Sequence, residues 1–336
     1  MKYSLALALF ALVFLSGCAG REYFANENAT PLKELSSLAI TINSNTAPHT
    51  LKQGEFLDQN GHKIAHEKAT ALLFENKDFY TFAIPTGFVL VAKHSQKTIS
   101  FQSPTVLSVY IYDGKVAILT RSNEFLLYQI NEQTLLFSHK EKNPNIISTE
   151  TAQIQANETH LFVPFLNAKI ALFDKQKQKI NENFTITEGE LASNIISLAT
   201  HKTKLIGHTR EKLFVIRNGQ LISKPLPIIK DIALTDDYIL VASHIGDIIS
   251  LNYNLVVQKK ISFKYAEFTH LLPTDNTLFA TTRNGYLVQL NSNLEQQNIY
   301  FAPSLKSTKI FTQNNTIYFG NYHIDLNTLA ANSTQK

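Results

Sequence analysis

The sequence predicts an all-β protein, specifically a β-propeller built from four-stranded antiparallel blades. Three observations support this fold class. From about Ala69 onward, short apolar stretches alternate with turn residues, and helical periodicity is almost absent. A unit of four such stretches recurs every ~35–45 residues, which is the period of propeller blades. Asp113-Gly114 and Asn218-Gly219 are two-residue hairpin signals, because Asn and Gly accept the positive φ that such turns require.

The two clearest repeat units begin at Tyr238 and Thr277 and match nearly position for position. The first reads Tyr-Ile-Leu-Val-Ala-Ser, then Ile245-Gly-Asp, Ile-Ile-Ser-Leu and Asn-Tyr-Asn. The second reads Thr-Leu-Phe-Ala-Thr-Thr, then Arg283-Asn-Gly, Tyr-Leu-Val-Gln-Leu and Asn-Ser-Asn. Looser copies precede them. Because one sheet cannot bury both of its faces alone, radial stacking of the units is the expected arrangement.

The number of first strands favours seven blades. They begin near residues 70, 106, 151, 196, 231, 268 and 308. The last unit ends early, and the segment from Gly54 to Ile64 resembles the end of a unit with no beginning. Ring closure, in which the early segment supplies an outer strand to the final blade, accounts for both. Eight blades, with residues 36–66 forming their own blade, is the alternative, and a two-sheet sandwich would need less regular spacing.

The N-terminus has the features of an export signal. Met1 and Lys2 are followed by an uncharged apolar run from Leu5 to Leu15, which is shorter than the ~20 residues of a membrane-spanning helix. The run ends in Leu15-Ser16-Gly17-Cys18, which resembles the bacterial lipobox. Cys18 is the only cysteine in the 336 residues, so the chain contains no disulfide partner for it. An ordinary secretory peptide with an incidental cysteine is the alternative.

These features predict a signal peptide over residues 1–17, a lipidated N-terminus and tether over 18–50, a propeller over 51–330 and a tail over 331–336. Membrane attachment through lipid on Cys18 is expected, since each buried methylene contributes roughly 0.8 kcal/mol and two or three acyl chains anchor stably. Asp is absent just after Cys18. By resemblance to enteric lipoproteins, this favours the outer membrane, facing the periplasm, over the inner membrane.

Composition supports a packed domain and gives no sign of a nucleic-acid partner. Hydrophobic residues make up 44% of the chain, enough for a substantial core. The formal net charge is +4, and the basic residues are scattered among acidic ones without a long basic stripe.

Catalytic, cofactor and metal sites are not predicted. The chain has no Gly-x-Ser-x-Gly, Gly-x-Gly-x-x-Gly or phosphate-loop pattern. His62 and His66 lie four residues apart, but in a strand-and-turn context that does not favour metal binding. A quinone cofactor is expected to stack on Trp, and the chain contains none. We therefore expect a protein that is not an enzyme.

Five side chains remain as candidates for binding. His201, His208 and His244 lie on or beside second strands of successive blades and are candidates for lining the central channel, although satisfied strand-end histidines are the simpler interpretation. Phe165 and Tyr322 lie at loop ends and are candidate anchors for a partner, because aromatic side chains are favoured at interfaces.

The repeat resembles that of quinoprotein-like (PQQ-like) propellers, with a looser similarity to WD40 propellers. The resemblance rests on the stretches Tyr238 to Asn252 and Thr277 to Asn291. A lipobox followed by such a propeller resembles the BamB family of outer-membrane assembly lipoproteins. That resemblance implies a non-catalytic, lipid-anchored envelope scaffold that binds a protein partner through its loops. Two alternatives stay open: a periplasmic ligand-binding or enzymatic propeller with a central-channel site, and a surface-exposed adhesin.

Overall fold

The computed structural model describes residues 29–32, 36–37, 50–52, 54–142, 150–187, 194–274, 277–306, 310–313, 315–319 and 322–333. The expected signal peptide and Cys18 lie outside these ranges. Within them, no helix has the length and apolar character needed to cross a bilayer.

The strands form eight sheets in chain order. Two short strands come first, β1 (Thr30–Pro31) and β2 (Ser36–Ser37). Blade 1 has three strands, β3 (Thr50–Lys52), β4 (Glu55–Leu57) and β5 (Lys63–Ala65). Blade 2 contains β6 (Ala71–Glu75), β7 (Phe79–Ile84), β8 (Gly87–Ala92) and β9 (Thr98–Gln102). Blade 3 contains β10 (Val106–Tyr112), β11 (Lys115–Thr120), β12 (Glu124–Gln129) and β13 (Leu135–Lys140). Blade 4 contains β14 (Gln155–Ala156), β15 (His160–Pro164), β16 (Lys169–Asp174) and β17 (Lys179–Thr185).

The second half of the chain continues the pattern. Blade 5 contains β18 (Ser197–His201), β19 (Lys204–His208), β20 (Lys212–Arg217) and β21 (Gln220–Pro225). Blade 6 contains β22 (Ile229–Leu234), β23 (Tyr238–Ser243), β24 (Asp247–Asn252) and β25 (Val257–Ser262). Blade 7 contains β26 (Phe268–Pro273), β27 (Thr277–Thr282), β28 (Tyr286–Asn291) and β29 (Gln296–Phe301), followed by the 3₁₀ helix η1 (Pro303–Leu305). Blade 8 contains β30 (Ile310–Gln313), β31 (Thr316–Phe319) and β32 (Tyr322–Asp325), followed by the helix α1 (Leu326–Ser333).

Consecutive blades share apolar cores, which arranges the sheets as a propeller. The rings of Phe125 in blade 3 and Phe173 in blade 4 meet edge to face, with centroids 5.1 Å apart. Equivalent mixed clusters join every consecutive pair from blades 1 and 2 to blades 7 and 8. Blades 8 and 1 also meet, since a Cβ added to Gly61 would lie 3.2 Å from Tyr318 Oη. The predicted β-propeller is therefore confirmed.

Each blade is ordered from the axis outward. First strands of neighbouring blades contact one another, as β22 and β26 do, so they form the inner layer. The third strands are largely buried, whereas the fourth strands β13, β21 and β25 are largely exposed at the rim. The hairpin predicted at Asn218-Gly219 is present, with φ of 49° and 71° at its two central residues.

One backbone hydrogen bond recurs between a turn and a loop in each of five blades. The backbone N–H that follows the fourth strand donates to the carbonyl of a residue with positive φ in the turn between the second and third strands. The donor–acceptor pairs are His66–Gly54, Glu141–Asn123, Ile186–Ala168, Phe263–Gly246 and Ala302–Gly285. This pattern identifies β3, β4 and β5 of blade 1 as the second, third and fourth strands of the repeat.

The favoured count of seven blades is wrong, because the described residues form eight sheets. Ring closure does occur, but through a different segment. Ser36–Ser37 pairs antiparallel with β32 and supplies the outer strand of blade 8, whereas the segment from Gly54 onward forms blade 1. Thr30–Pro31 pairs in parallel with β29 at the rim of blade 7. Two strands from the expected tether of residues 18–50 are thus hydrogen-bonded to the propeller.

The propeller has two distinct faces. We call the hairpin face the one that carries the turns between first and second strands and between third and fourth strands. The loop face carries the turns between second and third strands and the connections from one blade to the next. This division decides which of the candidate side chains can meet.

Candidate functional site

His201 lies on the hairpin face, at the end of β18 where the chain turns into β19. Its ring stacks on Tyr253 of blade 6, with centroids 5.2 Å apart and an interplanar angle of 3°. Its Nε2 lies 4.0 Å from the Asp236 carboxylate, which also pairs with Lys202 at 3.3 Å. His201 therefore links the hairpins of blades 5 and 6.

His208 and His244 lie at the opposite end, on the loop face. His208 is buried, and its Nδ1 is 2.7 Å from the carbonyl oxygen of Thr209. Burial lowers the pKa of His208 to about 4, against a smaller opposing effect of that hydrogen bond, so the ring is neutral at pH 7. His244 is partly exposed, and its backbone N–H donates to the Ile228 carbonyl.

The three histidines do not converge on one channel site. Ser197 pairs with His208 and His201 pairs with Lys204 in the same hairpin. His201 and His208 are therefore separated by four strand positions, which corresponds to roughly 13 Å. His208 has no exposed surface to offer a ligand. His201 and His208 therefore do not meet in one site, and the hydrogen bond of His208 fits the simpler interpretation of a satisfied strand-end histidine. A channel-lining role for His201 or His244 stays a prediction.

The inner layer contains a partly buried carboxylate that sequence reasoning missed. Asp231 on β22 accepts hydrogen bonds from the backbone N–H groups of Leu271 (2.7 Å) and Ile232 (2.9 Å). Burial raises the pKa of Asp231 to about 6, although both hydrogen bonds act in the opposite direction. Next to Leu271, His270 is largely buried, and burial lowers its pKa. Asp231 joins two inner strands; both of its carboxylate oxygens are used by the backbone.

The two aromatic candidates have structural surroundings. Phe165 is fully buried in the core between blades 3 and 4, and its ring lies edge-on to that of His139, with centroids 5.8 Å apart. The candidate role of Phe165 as an exposed partner anchor is therefore wrong, because its side chain is buried in the core between blades 3 and 4. Tyr322 is partly buried against the core of blades 7 and 8, with its ring 5.9 Å from that of Phe319. A role for Tyr322 in partner binding stays a prediction.

Exposed apolar side chains are concentrated on blade 6. Among the described residues, seven large hydrophobic side chains are exposed, and five of them lie on blade 6 or on the loop that leaves it: Tyr238, Ile245, Val256, Val257 and Tyr265. The other two, Leu135 and Leu136, lie at the rim of blade 3. Three of the five lie at the hairpin face and two, Ile245 and Tyr265, at the loop face. Scattered single apolar residues are ordinary on a protein surface, whereas neighbouring exposed apolar residues are typical of an interaction site.

Ile245 and Tyr265 are both exposed on the loop face. Their exposed fractions are 58% and 43%. Ile245 precedes Gly246, whose carbonyl accepts the hydrogen bond from Phe263. A Cβ added to Gly246 would lie 2.1 Å from the Phe263 carbonyl and 3.2 Å from Ala266 N, so the turn and the loop are in direct contact. The two apolar side chains therefore flank a closely packed junction.

Cationic side chains border this junction. Lys264 Nζ lies 5.1 Å from the centroid of the Tyr265 ring. In blade 7, the backbone N–H of Arg283 donates to the Glu267 carbonyl at 2.9 Å, and its guanidinium lies 3.4 Å from the Glu267 carboxylate. Lys306 Nζ lies 5.4 Å from the Phe301 ring. We call the surface formed by Ile245, Lys264, Tyr265, Glu267, Arg283 and Lys306 the loop-face patch.

A shallow cavity lies on the hairpin face between blades 6 and 7. Its volume is about 270 Å³, below the roughly 300–1,000 Å³ of small-molecule pockets. Tyr238 and Asp237 lie at its mouth, and Leu240 and Leu278 form part of its wall. Across the described ranges, no group of three or more His, Cys, Asp or Glu side chains is arranged to hold a metal ion.

The fold resembles that of known propellers. BamB from Moraxella catarrhalis superimposes with a TM-score of 0.65 at 14% identity, over 85% of this chain and 96% of BamB. The C-terminal WD40 domain of Sif2 superimposes with a TM-score of 0.61 at 12% identity, over 88% of this chain and 96% of that domain. The protein is thus a β-propeller resembling BamB. At these identities the likeness concerns the fold alone.

A sequence relative is found among the proteins of Helicobacter pylori. The plasminogen-binding protein PgbB of strain J99 is 23% identical over 247 residues, which cover 69% of this chain and 46% of PgbB. The same protein of strain 26695 is also 23% identical over 247 residues. The chain therefore spans less than half the length of these relatives. No family model matches the sequence.

Proposed function

We propose that this protein is a non-enzymatic propeller of the bacterial cell envelope that binds a protein partner through blade 6. The observation that carries the proposal is that five of the seven exposed large hydrophobic side chains among the described residues belong to blade 6 or the loop that leaves it, and that two of these, Ile245 and Tyr265, lie on the loop face. Ile245 and Tyr265 are exposed on a junction closed by backbone hydrogen bonds, which provides a rigid platform. Rigid, exposed anchors are the typical basis of a protein–protein hot spot.

Outer-membrane protein assembly is the process in which we place this scaffold. The BamB-like fold and the lipobox support it together, since each is found in assembly lipoproteins by the resemblance described above. In this proposal the protein is anchored by lipid on Cys18, mainly at the outer membrane and facing the periplasm.

The path of the N-terminal segment supports an orientation. β29 runs from the hairpin face to the loop face, and β1 runs parallel to it, so residue 29 lies near the hairpin face. Residue 29 follows Cys18 by 29 − 18 = 11 residues, which can span at most roughly 35–40 Å. Lipid on Cys18 would then hold the hairpin face toward the membrane and leave the loop face available to a partner.

Site-specific photo-cross-linking in intact cells tests the partner-binding proposal. A photoreactive amino acid is placed at Ile245, and in a matched protein at the exposed Lys177 on the hairpin face of blade 4. We expect a discrete cross-linked envelope protein from position 245 and none from position 177. Equal labelling at both positions, or none at position 245, would contradict the proposal. Palmitate labelling of the wild type and of Cys18→Ala tests the anchor, and label retained by Cys18→Ala would refute it.

A second candidate function is favoured by the sequence relatives, which are named as plasminogen-binding proteins. In that case the propeller is a surface-exposed adhesin. Two measurements separate the candidates: protease shaving of whole cells, and binding of purified plasminogen to the immobilised protein. Cleavage on intact cells together with saturable binding would favour the adhesin. Protection from protease without plasminogen binding would favour the periplasmic scaffold.

A further inference from the structure

We infer that the loop-face patch binds an acidic segment of a protein partner, one that inserts an apolar side chain between Ile245 and Tyr265. The inference rests on the proposed partner-binding function and specifies the chemistry of the partner. The two apolar residues form the centre of the patch, and charged side chains form its border.

The charge of the patch selects the sign of the partner. Lys264 and Arg283 contribute two positive charges and Glu267 one negative charge, a net of 2 − 1 = +1 without Lys306, which has a partner of its own. The Arg283–Glu267 pair is exposed on the Arg283 side, where 68% of the side chain is accessible. The guanidinium can therefore meet a second carboxylate, for which its planar donor geometry is well suited.

The aromatic side chain adds directionality to this arrangement. Lys264 lies over the face of the Tyr265 ring, which positions its ammonium group beside the exposed apolar surface. A partner segment that packs an apolar side chain against Tyr265 brings its flanking residues near Lys264, and Glu267, two residues after Tyr265, holds Arg283 at 3.4 Å. Carboxylates at those flanking positions are attracted, and lysines are repelled.

A protein segment fits this surface better than an anionic membrane. The patch exposes two large apolar side chains and lies on the loop face, whereas residue 29, the first described residue, lies near the hairpin face. A compact apolar centre with a charged border is typical of a protein–protein hot spot. Binding of the patch to an anionic lipid surface is the alternative that the experiment also tests.

Peptide binding to the purified full-length protein tests the inference. Three fluorescent probes share one backbone: Glu-Glu-Leu-Phe-Glu-Glu, the same peptide with Lys for Glu, and the same peptide with Ser for Leu and Phe. We expect the acidic apolar probe to bind at least tenfold more tightly than either of the others. The double variant Lys264→Glu/Arg283→Glu should weaken that binding at least tenfold.

A matched charge reversal is the control. Lys177→Glu/Lys179→Glu changes the net charge equally on the hairpin face of blade 4, and we expect binding within twofold of wild type. Thermal unfolding of each variant verifies that it is folded. Equal affinity for the three probes, or unchanged binding by the Lys264/Arg283 variant, would overturn the inference. One further outcome would also overturn the inference. In it, the acidic peptide fails to bind wild type, while phosphatidylglycerol vesicles bind wild type and do not bind the Lys264→Glu/Arg283→Glu variant.

The cross-linking experiment at Ile245 separates this inference from the proposed function. A specific cross-link at position 245 with failure of the acidic probe leaves partner binding in place and refutes only the acidic chemistry. Absence of the cross-link refutes partner binding through blade 6 itself.

Discussion

The carboxylate of Asp231 in blade 6 accepts a hydrogen bond from the backbone N–H of Leu271 in blade 7, at 2.7 Å. The bond joins two inner strands, at a place where the backbone of β22 is irregular between Ile229 and Asp231. Ser108 occupies the corresponding position in blade 3, and its Oγ accepts a hydrogen bond of 2.6 Å from Ile154 N in blade 4. Polar side chains on first strands thus bridge the interfaces between neighbouring blades.

Ionisation of Asp231 should make stability depend on pH. Its pKa is raised from 3.8 to about 6, because burial disfavours the charged form. The unfolded chain therefore loses this proton at lower pH than the native protein. The contribution of Asp231 to stability is present below about pH 4 and is lost as the pH rises toward 6, by roughly 2–3 kcal/mol.

Urea unfolding of wild type and Asp231→Asn at pH 4.5 and pH 7 measures this effect. We expect the difference in free energy of unfolding between the two proteins to change by at least about 1 kcal/mol between these pH values. A pH-independent difference between wild type and Asp231→Asn would refute the assignment.

His208 should produce the opposite pH dependence. Its pKa is lowered from 6.5 to about 4, because burial disfavours the imidazolium. Its stabilising contribution is present above pH 6.5 and is lost as the pH falls toward 4. At pH 5 the loss is roughly 2 kcal/mol. The difference between wild type and His208→Gln, measured by urea unfolding at pH 5 and pH 7.5, should show this dependence. An equal difference at the two pH values would refute it.

Ser108→Ala should weaken the interface between blades 3 and 4. The serine Oγ accepts from Ile154 N and donates to Gln153 Oε1 at 3.1 Å, so its removal leaves a buried N–H without that partner. We expect a loss of about 1–3 kcal/mol in the free energy of unfolding. Ser95→Ala, on an exposed turn, should change it by less than about 0.5 kcal/mol. Equal effects of the two substitutions would show that the Ser108 bridge contributes little.

Gly246→Ala should destabilise blade 6 through a direct clash. The residue has φ of +89°, and a Cβ there would lie 2.1 Å from the Phe263 carbonyl oxygen. Gly114→Ala is the matched control, because its φ is +68° but the nearest atom to an added Cβ is 3.5 Å away. We expect thermal denaturation to show a clearly larger decrease in melting temperature for Gly246→Ala. Similar decreases would mean that backbone strain alone accounts for both.

Much of the architecture is predictable from local sequence. The turn at Asn218-Gly219 and the apolar stretch from Tyr238 to Ser243, which forms β23, identify hairpins and strands because these signals act within a few residues. The number of blades was harder to predict from the sequence. Ser36–Ser37 forms a two-residue strand, too short to show any alternation, and only its pairing with β32 reveals the ring closure.

The candidate site was harder to predict because it also depends on contacts between residues that are distant in the sequence. Asp231 accepts a hydrogen bond from a backbone N–H of the next blade, and the donor residue lies 40 positions further along the sequence. Phe165 and Ile245 are both apolar residues in turns, yet the first is fully buried and the second is exposed. Local pattern does not distinguish them, because burial depends on how the neighbouring blade covers each turn.

Binding of a partner through blade 6 is the central claim, and quantitative co-purification tests it most directly. Tagged wild type, Ile245→Asp and Leu135→Asp are isolated from gently solubilised membranes after cross-linking, and captured proteins are quantified by mass spectrometry. Both substitutions place a charge at an exposed apolar position, but only Ile245 lies on blade 6. We predict that one envelope protein is captured with wild type and Leu135→Asp and is reduced at least tenfold with Ile245→Asp. Equal capture by all three proteins would contradict the claim.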